Sequence, residues 1–287
     1  MKKILVPVDF SKTSQNALAY AVEYALETKA KIHVFHVIQP LGGEVGYSFY
    51  GIGDRIISEL ESEAQKYLQD ITSPHSKKKY KGTKKSLEIS WAVHTGAVVE
   101  EANRYITTEN YNGVFVGTKS QAGSSFWLWG SVTYQIISSA KAPVVTIPSN
   151  AKYESIKEIL YASNFTPDEV DYIDYLREIA SYFNARITCL HIDSLEPNTI
   201  ANQSWQQMEE MRDLYSFLPV SELDFKIQFN EKVESGIFDY LKKNKVDVIA
   251  VLQKERSFIE QLFHHSVSRT LPFHSEIPVL ILKEKYV

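Results

Sequence analysis

The sequence repeats itself, and this internal repeat is the strongest constraint on the fold. The opening "KKILVPVDFSKT" is echoed by "KEILYASNFTPD" 155 residues later, and "IHVFHVI" is echoed by "ITCLHID" at the same offset. Toward the end of each half the offset falls to 135, where Gly130, Ser131, Val132 and Pro143 match His265, Ser266, Val267 and Pro278. One fold used twice therefore predicts two tandem domains, residues 1–149 and 153–287.

Each half alternates short apolar runs with segments of helical periodicity. The first half predicts strands at Lys3–Val8, Lys31–Ile38, Leu87–Val93, Gly113–Gly117 and Pro143–Pro148, and helices at Thr13–Glu27 (capped by Ser11), about Asp54–Ile71, Val98–Ile106 and after Gly130. Alternating strands and helices form right-handed crossovers over a parallel sheet. We therefore predict an α/β fold of two doubly wound domains, each a five-stranded parallel sheet with helices on both faces.

The composition limits which cell compartment and which kinds of partner fit this chain. A chain of 287 residues with 44% hydrophobic content supports a large core, and its net charge of −4 gives no basic field for nucleic acid. Cys189 is the single cysteine, which excludes a disulfide framework and fits a reducing compartment. The first apolar run is broken by Asp9 and is too short for a signal peptide or membrane span. We expect a cytoplasmic protein without nucleic-acid or membrane partners.

The histidines do not form a metal-ligand pattern. His33 and His36 lie three apart on a strand and point to opposite faces, and the neighbours His264 and His265 lack a carboxylate or thiolate at ligand spacing. We interpret His36 and His191, at the ends of buried strands, as hydrogen-bonded structural histidines. No nucleophile elbow, zinc-protease motif or Cys/His pair is present. We expect no metal site, no catalytic residue and no enzyme.

Three strand ends of the first half converge on one edge of the predicted sheet. They are "PVDFS", "HVIQP" and "VGTKSQAGSSFWLWGSVT". Ligands of open parallel sheets bind outside the carboxyl ends, where the strand order reverses. Asp9 is suited to ribose hydroxyls or an adenine amino group, with a helix cap as the alternative. Amides, hydroxyls and one cation for phosphates would come from Gly117, Thr118, Lys119, Gly130, Ser131 and Thr133. We predict a nucleotide site here.

Three further segments have a structural and a functional interpretation. The Gly- and aromatic-rich stretch Gly42–Gly53 is either a loop that folds over a ligand or a long connection, and we favour the connection. The basic run Lys77–Lys85 is interpreted as a solvated loop tip. The apolar "FWLW", Phe126–Trp129, is interpreted as loop packing, with a partner surface as the alternative.

These residues resemble the universal stress protein family in its tandem form. The resemblance covers nearly the whole chain and rests on "ILVPVDFS", the strand ends "HV" and "VGT", and "GSV" followed by "PVVTIP". It implies an adenine nucleotide alpha-hydrolase-like fold that binds ATP, with AMP or ADP as alternatives and Mg2+ held through the phosphates. In nucleotide-binding members the loop reads G-x2-G-x9-G-[S/T], and this chain fits that spacing with Gly117, Ser120, Gly130 and Ser131. The nucleotide-binding residues implied are Pro7, Val8, Asp9, Val37, Gly117, Thr118, Lys119, Ser120, Gly130, Ser131, Val132 and Thr133.

The second half departs from this pattern. In the second half, Asn164 stands in place of Asp9, and Leu252, Glu255 and His265 stand in place of Gly117, Ser120 and Gly130. Of the four positions in the loop pattern, only Ser131 has an identical counterpart, Ser266. Because a glutamate repels phosphates, we expect a degenerate second domain with a structural role.

The resemblance also implies how the halves assemble and what the chain does. Family members pair through their last strands, so "PVVTIP" and "PVLILK" would pair as an intramolecular pseudo-dimer, with a homodimer left open. The expected function is a cytoplasmic stress-response protein that binds ATP in its first domain, with slow hydrolysis left open. The alternative is a nucleotide-free interaction and regulatory module with an unknown protein partner.

Overall fold

A computed structural model describes residues 1–39, 52–120, 127–128, 131–194, 203–253 and 276–284. The chain divides into two compact units. Unit 1 comprises Met1–Lys119 and Trp129–Ser149, and unit 2 comprises Ser120–Leu128 and Asn150–Val287. The domain limits 1–149 and 153–287 stay predictions.

Unit 1 contains a parallel sheet covered by helices. Its elements are β1 (Lys3–Pro7), α1 (Lys12–Thr28), β2 (Lys31–Ile38), α2 (Ile52–Ser76), β3 (Ile89–Thr95), α3 (Val98–Glu109), β4 (Val114–Ser120), α4 (Ser131–Ser139) and β6 (Val144–Pro148). The two-residue strand β5 (Trp127–Leu128), which follows β4 in the chain, belongs to the segment assigned to unit 2. The main strands pair in the order β3-β2-β1-β4-β6, and each of these pairings is parallel. The strand order reverses at β1, which has β2 on one side and β4 on the other.

Unit 2 repeats this arrangement. Its elements are β7 (Glu158–Ala162), a 3₁₀ turn (Pro167–Glu169), α5 (Val170–Ser181), β8 (Arg186–Asp193), α6 (Gln203–Leu214), β9 (Leu223–Phe229), α7 (Val233–Lys243), β10 (Val248–Gln253) and β11 (Val279–Lys283). The strands pair in parallel in the order β9-β8-β7-β10-β11. The predicted fold class, two five-stranded parallel sheets with helices, is confirmed.

Burial on both faces explains why the central strand β1 is apolar from Ile4 onward. In β1 the side chains of Ile4, Leu5 and Val6 are fully buried, as expected for central strands of a parallel sheet. The register pairs Pro7 with Phe35 and Leu5 with Val114. The carboxyl ends of β1, β2 and β4 therefore lie side by side.

None of the helices in the described ranges combines the length and the apolar character needed to cross a bilayer.

Candidate functional site

A cavity of about 780 Å³ lies at the carboxyl edge of the unit 1 sheet. The ends of β1, β2 and β4 form its floor, and residues of α1, α2, α3 and α4 complete its wall. The cavity sits where the strand order reverses, which is where open α/β sheets bind ligands. Its volume is in the range of small-molecule sites.

Seven of the predicted site residues line this cavity. They are Pro7, Val8, Asp9, Val37, Gly117, Val132 and Thr133. Thr118 is outside the lining, is 1% exposed, and its hydroxyl has no hydrogen-bond partner within the described ranges. Lys119 and Ser120 end β4, and Ser131 begins α4; the structure describes the backbone of these three residues only. Gly130 lies outside the described residues. Ligand contact by any of these residues stays a prediction.

Asp9 is held by the serine that caps the following helix. Its Oδ1 accepts hydrogen bonds from the Ser11 backbone N–H (3.1 Å) and hydroxyl (2.6 Å). Ser11 Oγ accepts from Ser14 N at 3.2 Å, so Ser11 is the N-cap of α1, as predicted, and Asp9 orients it. Both of these bonds from Ser11 are accepted by Oδ1.

The ionisation of Asp9 is set by opposing effects. Partial burial acts to raise the pKa of its carboxyl, but hydrogen bonds from Ser11 and Ser14 outweigh this and hold the pKa below its usual value. Asp9 is therefore a carboxylate at neutral pH and presents only acceptors to the cavity.

An aromatic cluster forms one wall. Phe10 stacks on His36 with ring centroids 4.2 Å apart and packs against Tyr67 at 4.3 Å. Gln15 Nε2 donates to Phe10 O (3.2 Å) and to the Tyr67 hydroxyl (2.6 Å), which fixes both residues. Phe10 has a left-handed backbone with φ 62°, and its unit 2 counterpart Phe165 has φ 57°. This uncommon conformation therefore belongs to the fold that both halves share.

The interpretation of His36 and His191 as structural histidines is confirmed. Nδ1 of His36 lies 2.7 Å from the Val8 carbonyl oxygen, and Nδ1 of His191 lies 2.9 Å from that of Ser163. Each bond ties the end of the second strand of its unit to the end of the first.

Packing on α1 accounts for the glycine at position 117. A Cβ built there would lie 2.6 Å from the Thr13 carbonyl oxygen, in the first turn of α1. Thr133 Oγ1 donates to the Gly117 carbonyl at 3.1 Å and so connects β4 to the start of α4. The counterpart in unit 2 is Leu252, which is buried. Phosphate binding is therefore not needed to explain this glycine.

Helix α2 supplies site residues that the sequence analysis missed. Leu60, Glu63, Ala64 and Tyr67 line the cavity, at the spacing of one helical face. That periodicity was visible in the sequence and could have identified the face. The other missed lining residues are Thr13, Ser14, Phe35 and Val98, whereas Phe10, Ser11, His36, Ile38, Gln39 and Val116 belong to the three segments predicted to meet at this edge.

The structure confirms that His33 and His36 face opposite sides of the sheet and that the lysine run is solvated, whereas the expected lack of a metal site stays a prediction. His33 Nδ1 lies 2.8 Å from Ser90 Oγ, on the other side of the sheet from the His36 contacts, and the described residues contain no cluster of three or more His, Cys, Asp or Glu that could hold a metal ion. In the Lys77–Lys85 run, Lys78 and Lys81 pair with glutamates of α1 and are 40% and 72% exposed. This run is a solvated loop tip, as predicted.

Four predictions fall wholly or partly outside the described residues. They concern Gly42–Gly53 up to residue 51, Phe126 and Trp129 of "FWLW", the pair His264 and His265, and the unit 2 loop with Glu255 and Ser266.

Comparison with known proteins decides the family. The family model for the universal stress protein family matches residues 1–148, just over half of the chain. The chain belongs to the universal stress protein family. It is similar to two curated universal stress proteins of Methanocaldococcus jannaschii, MJ0531 (26% identical over 151 residues, 53% of this chain and 84% of that protein) and MJ0577 (24% over 156 residues, 51% and 94%).

Solved structures extend the likeness in fold to the whole chain. A universal stress protein from Archaeoglobus fulgidus aligns over 98% of both chains with a TM-score of 0.71 at 17% identity. A putative universal stress protein from Pseudomonas aeruginosa aligns over 99% of this chain and 93% of its own, with a TM-score of 0.56 at 14% identity. The second half thus shares the fold of these universal stress proteins, although the family model stops at residue 148.

Proposed function

We propose that unit 1 binds an adenine nucleotide, ATP, in the cavity beside β1 and β4, and that the protein acts in a cytoplasmic stress response without turning the nucleotide over. The cavity of about 780 Å³ at the reversal of strand order carries this proposal. Family membership supports the stress-response part.

The charges around the cavity give the nucleotide a direction. Asp9 is a carboxylate, and Glu63 is a second, exposed acid on the wall, without a partner in the described ranges. These acids suit the hydroxyls and amine of a nucleoside and repel phosphates. Phosphates would therefore lie toward the start of α4 at Ser131, where the unpaired N–H groups of a helix favour anions. Mg2+ would be held through the phosphates.

Unit 2 is proposed as a structural half that binds no nucleotide. Glu169 is 2% exposed and accepts hydrogen bonds from Ser163 Oγ (2.5 Å), Asn164 N (3.1 Å) and Thr166 Oγ1 (3.2 Å). The turn after β7 therefore satisfies its donors with a carboxylate of its own chain, where unit 1 has Ser14. The buried carboxylate adds negative charge beside this turn, which disfavours a nucleotide with its charged phosphates. Pairing of the two last strands within the chain remains part of the proposal.

Isothermal titration calorimetry tests the proposal. We expect one ATP per chain, with weaker binding of at least one of ADP and AMP. Asp9→Ala should lower ATP affinity at least tenfold, because hydrogen bonds to charged groups contribute about 1.5–3 kcal/mol. The matched control Asn164→Ala changes the equivalent residue of unit 2 and should leave ATP affinity unchanged.

Two other results would overturn it. Two equivalent sites, or equal affinities for Asp9→Ala and the intact chain, contradict the assignment to unit 1. Absence of binding to ATP, ADP and AMP, together with native mass spectra that show no co-purified nucleotide, would favour the nucleotide-free interaction module.

A further inference from the structure

The protonation of His36 follows from its hydrogen bond. A carbonyl oxygen can only accept, so the 2.7 Å contact from Val8 O requires the proton on Nδ1. In the neutral ring Nε2 then carries a lone pair and is an acceptor. The ring lines the cavity and is half-buried. Phe10 covers one ring face and Nδ1 is bonded to Val8 O, so Nε2 is the polar atom of the ring that is left for a ligand. No residue in the described ranges hydrogen-bonds this atom.

Unit 2 shows what the same atom does when its own chain supplies a partner. His191 is bound through Nδ1 to Ser163 O in the same way, and its Nε2 lies 3.4 Å from the hydroxyl of Ser204, the second residue of α6. Because Nδ1 is the donor, Ser204 must donate to Nε2. The two halves therefore differ at this histidine. Nε2 of His191 accepts a hydrogen bond from a hydroxyl of the protein, whereas His36 lines a cavity.

We propose that Nε2 of His36 accepts a hydrogen bond from a ribose hydroxyl of the nucleotide. This inference rests on the proposed function of unit 1. His191, the counterpart in unit 2, accepts its hydrogen bond from a hydroxyl, and a ribose has two adjacent hydroxyls that can donate. Asp9 directly follows Val8, whose carbonyl anchors His36, so two acceptors lie on neighbouring groups of the cavity wall. His36 thus selects for the sugar as well as holding β2 to β1.

Calorimetry with deoxy analogues tests this contact. His36→Asn places an amide N–H where Nδ1 lies, keeps the bond to Val8 O, and removes Nε2. We expect it to bind ATP about fivefold more weakly, the value of one neutral hydrogen bond. The intact chain should show the same loss of affinity when one of the two analogues, 2′-deoxy-ATP or 3′-deoxy-ATP, replaces ATP. The intact chain and the variant should bind that analogue with equal affinity. An ATP analogue without the adenine amine should bind both proteins more weakly than ATP, and by the same factor.

His191→Asn is the matched control, since it makes the same change in unit 2 and should leave ATP affinity unaltered. A second measurement needs no variant: the ¹⁵N resonance of His36 Nε2 should move on addition of ATP and stay in place with the analogue that lacks the contacted hydroxyl. The inference would be overturned if His36→Asn bound ATP as tightly as the intact chain does. It would also be overturned if the variant lost as much affinity as the intact chain when either deoxy analogue replaced ATP. Neither result would contradict nucleotide binding itself. An intact chain that binds no ATP would refute the proposed function itself.

Discussion

Acidification should destabilise unit 1 through His33, a buried histidine of β2 that lies outside the cavity. His33 is 7% exposed, its Nδ1 lies 2.8 Å from Ser90 Oγ, and its ring centroid lies 4.3 Å from that of Tyr105. Burial first, and then the positive charges of His94 and Arg104, lowers the pKa of His33 to about 4. Its Nε2 is buried without a partner among the described residues, so a proton there would be neither solvated nor paired.

The sign and size of the effect follow from linkage. The folded pKa of about 4 lies below the unfolded value of 6.5, so as pH falls the unfolded chain takes up the proton first. The stabilising contribution is complete above pH 6.5 and is lost as pH falls toward 4. The whole gap corresponds to about 3.4 kcal/mol, of which about 2 kcal/mol is lost between pH 7 and pH 5.

The assay compares the intact chain with His33→Asn, which can keep a hydrogen bond to Ser90 and does not titrate. Urea unfolding at pH 7 and pH 5, followed by hydrogen exchange of β2 amides, reports unit 1 alone. The intact chain should lose about 2 kcal/mol more than the variant. Asp9, His75 and Glu158 also have shifted pKa values, but they titrate in both proteins and cancel. Equal losses in the two proteins, or a greater loss in the variant, would refute the reasoning.

Two further predictions concern stability. Gly117→Ala should destabilise unit 1 by about 1–3 kcal/mol in urea unfolding, because the new Cβ would lie 2.6 Å from the Thr13 carbonyl oxygen; an unchanged midpoint would contradict this packing role. Glu169→Gln should destabilise unit 2 by about 1.5–3 kcal/mol, since three donors lose a charged acceptor, while ATP affinity stays unchanged; a change in ATP affinity would instead place unit 2 in nucleotide binding.

Strands buried on both faces were the most predictable elements. The limits predicted for β2, Lys31 and Ile38, are those observed, whereas β3 begins two residues after the predicted Leu87. Leu87 is 4% exposed, but its backbone N–H bonds to Lys78 O in the loop after α2. Apolar character marks Leu87 as buried without showing that its backbone has left the sheet. Tertiary pairing therefore set this boundary, and periodicity alone could not.

The cavity floor was predictable and its wall was not. Parallel pairing brings the ends of β1, β2 and β4 together whatever the side chains, so Asp9, Val37 and Gly117 could be grouped from the sequence. The contribution of α2 depends on how that helix is rotated about its own axis over the sheet. The repeat gives no help there, because the loss of about twenty residues from the second half falls in this region.

Comparison of the halves also needs a physical reason at each position before it indicates a ligand. The change from Gly117 to Leu252 looks like the loss of a phosphate contact, yet the glycine is required by α1, and unit 2 begins its corresponding segment with a 3₁₀ turn. The change at the histidine pair is different, because His36 and His191 make the same structural bond through Nδ1, while Nε2 of His191 meets Ser204 and Nε2 of His36 has no such partner in the described ranges. A pair that shares its structural role can isolate a ligand contact, which is why His36→Asn and His191→Asn separate function from folding more cleanly than substitution of either glycine anchor of the loop.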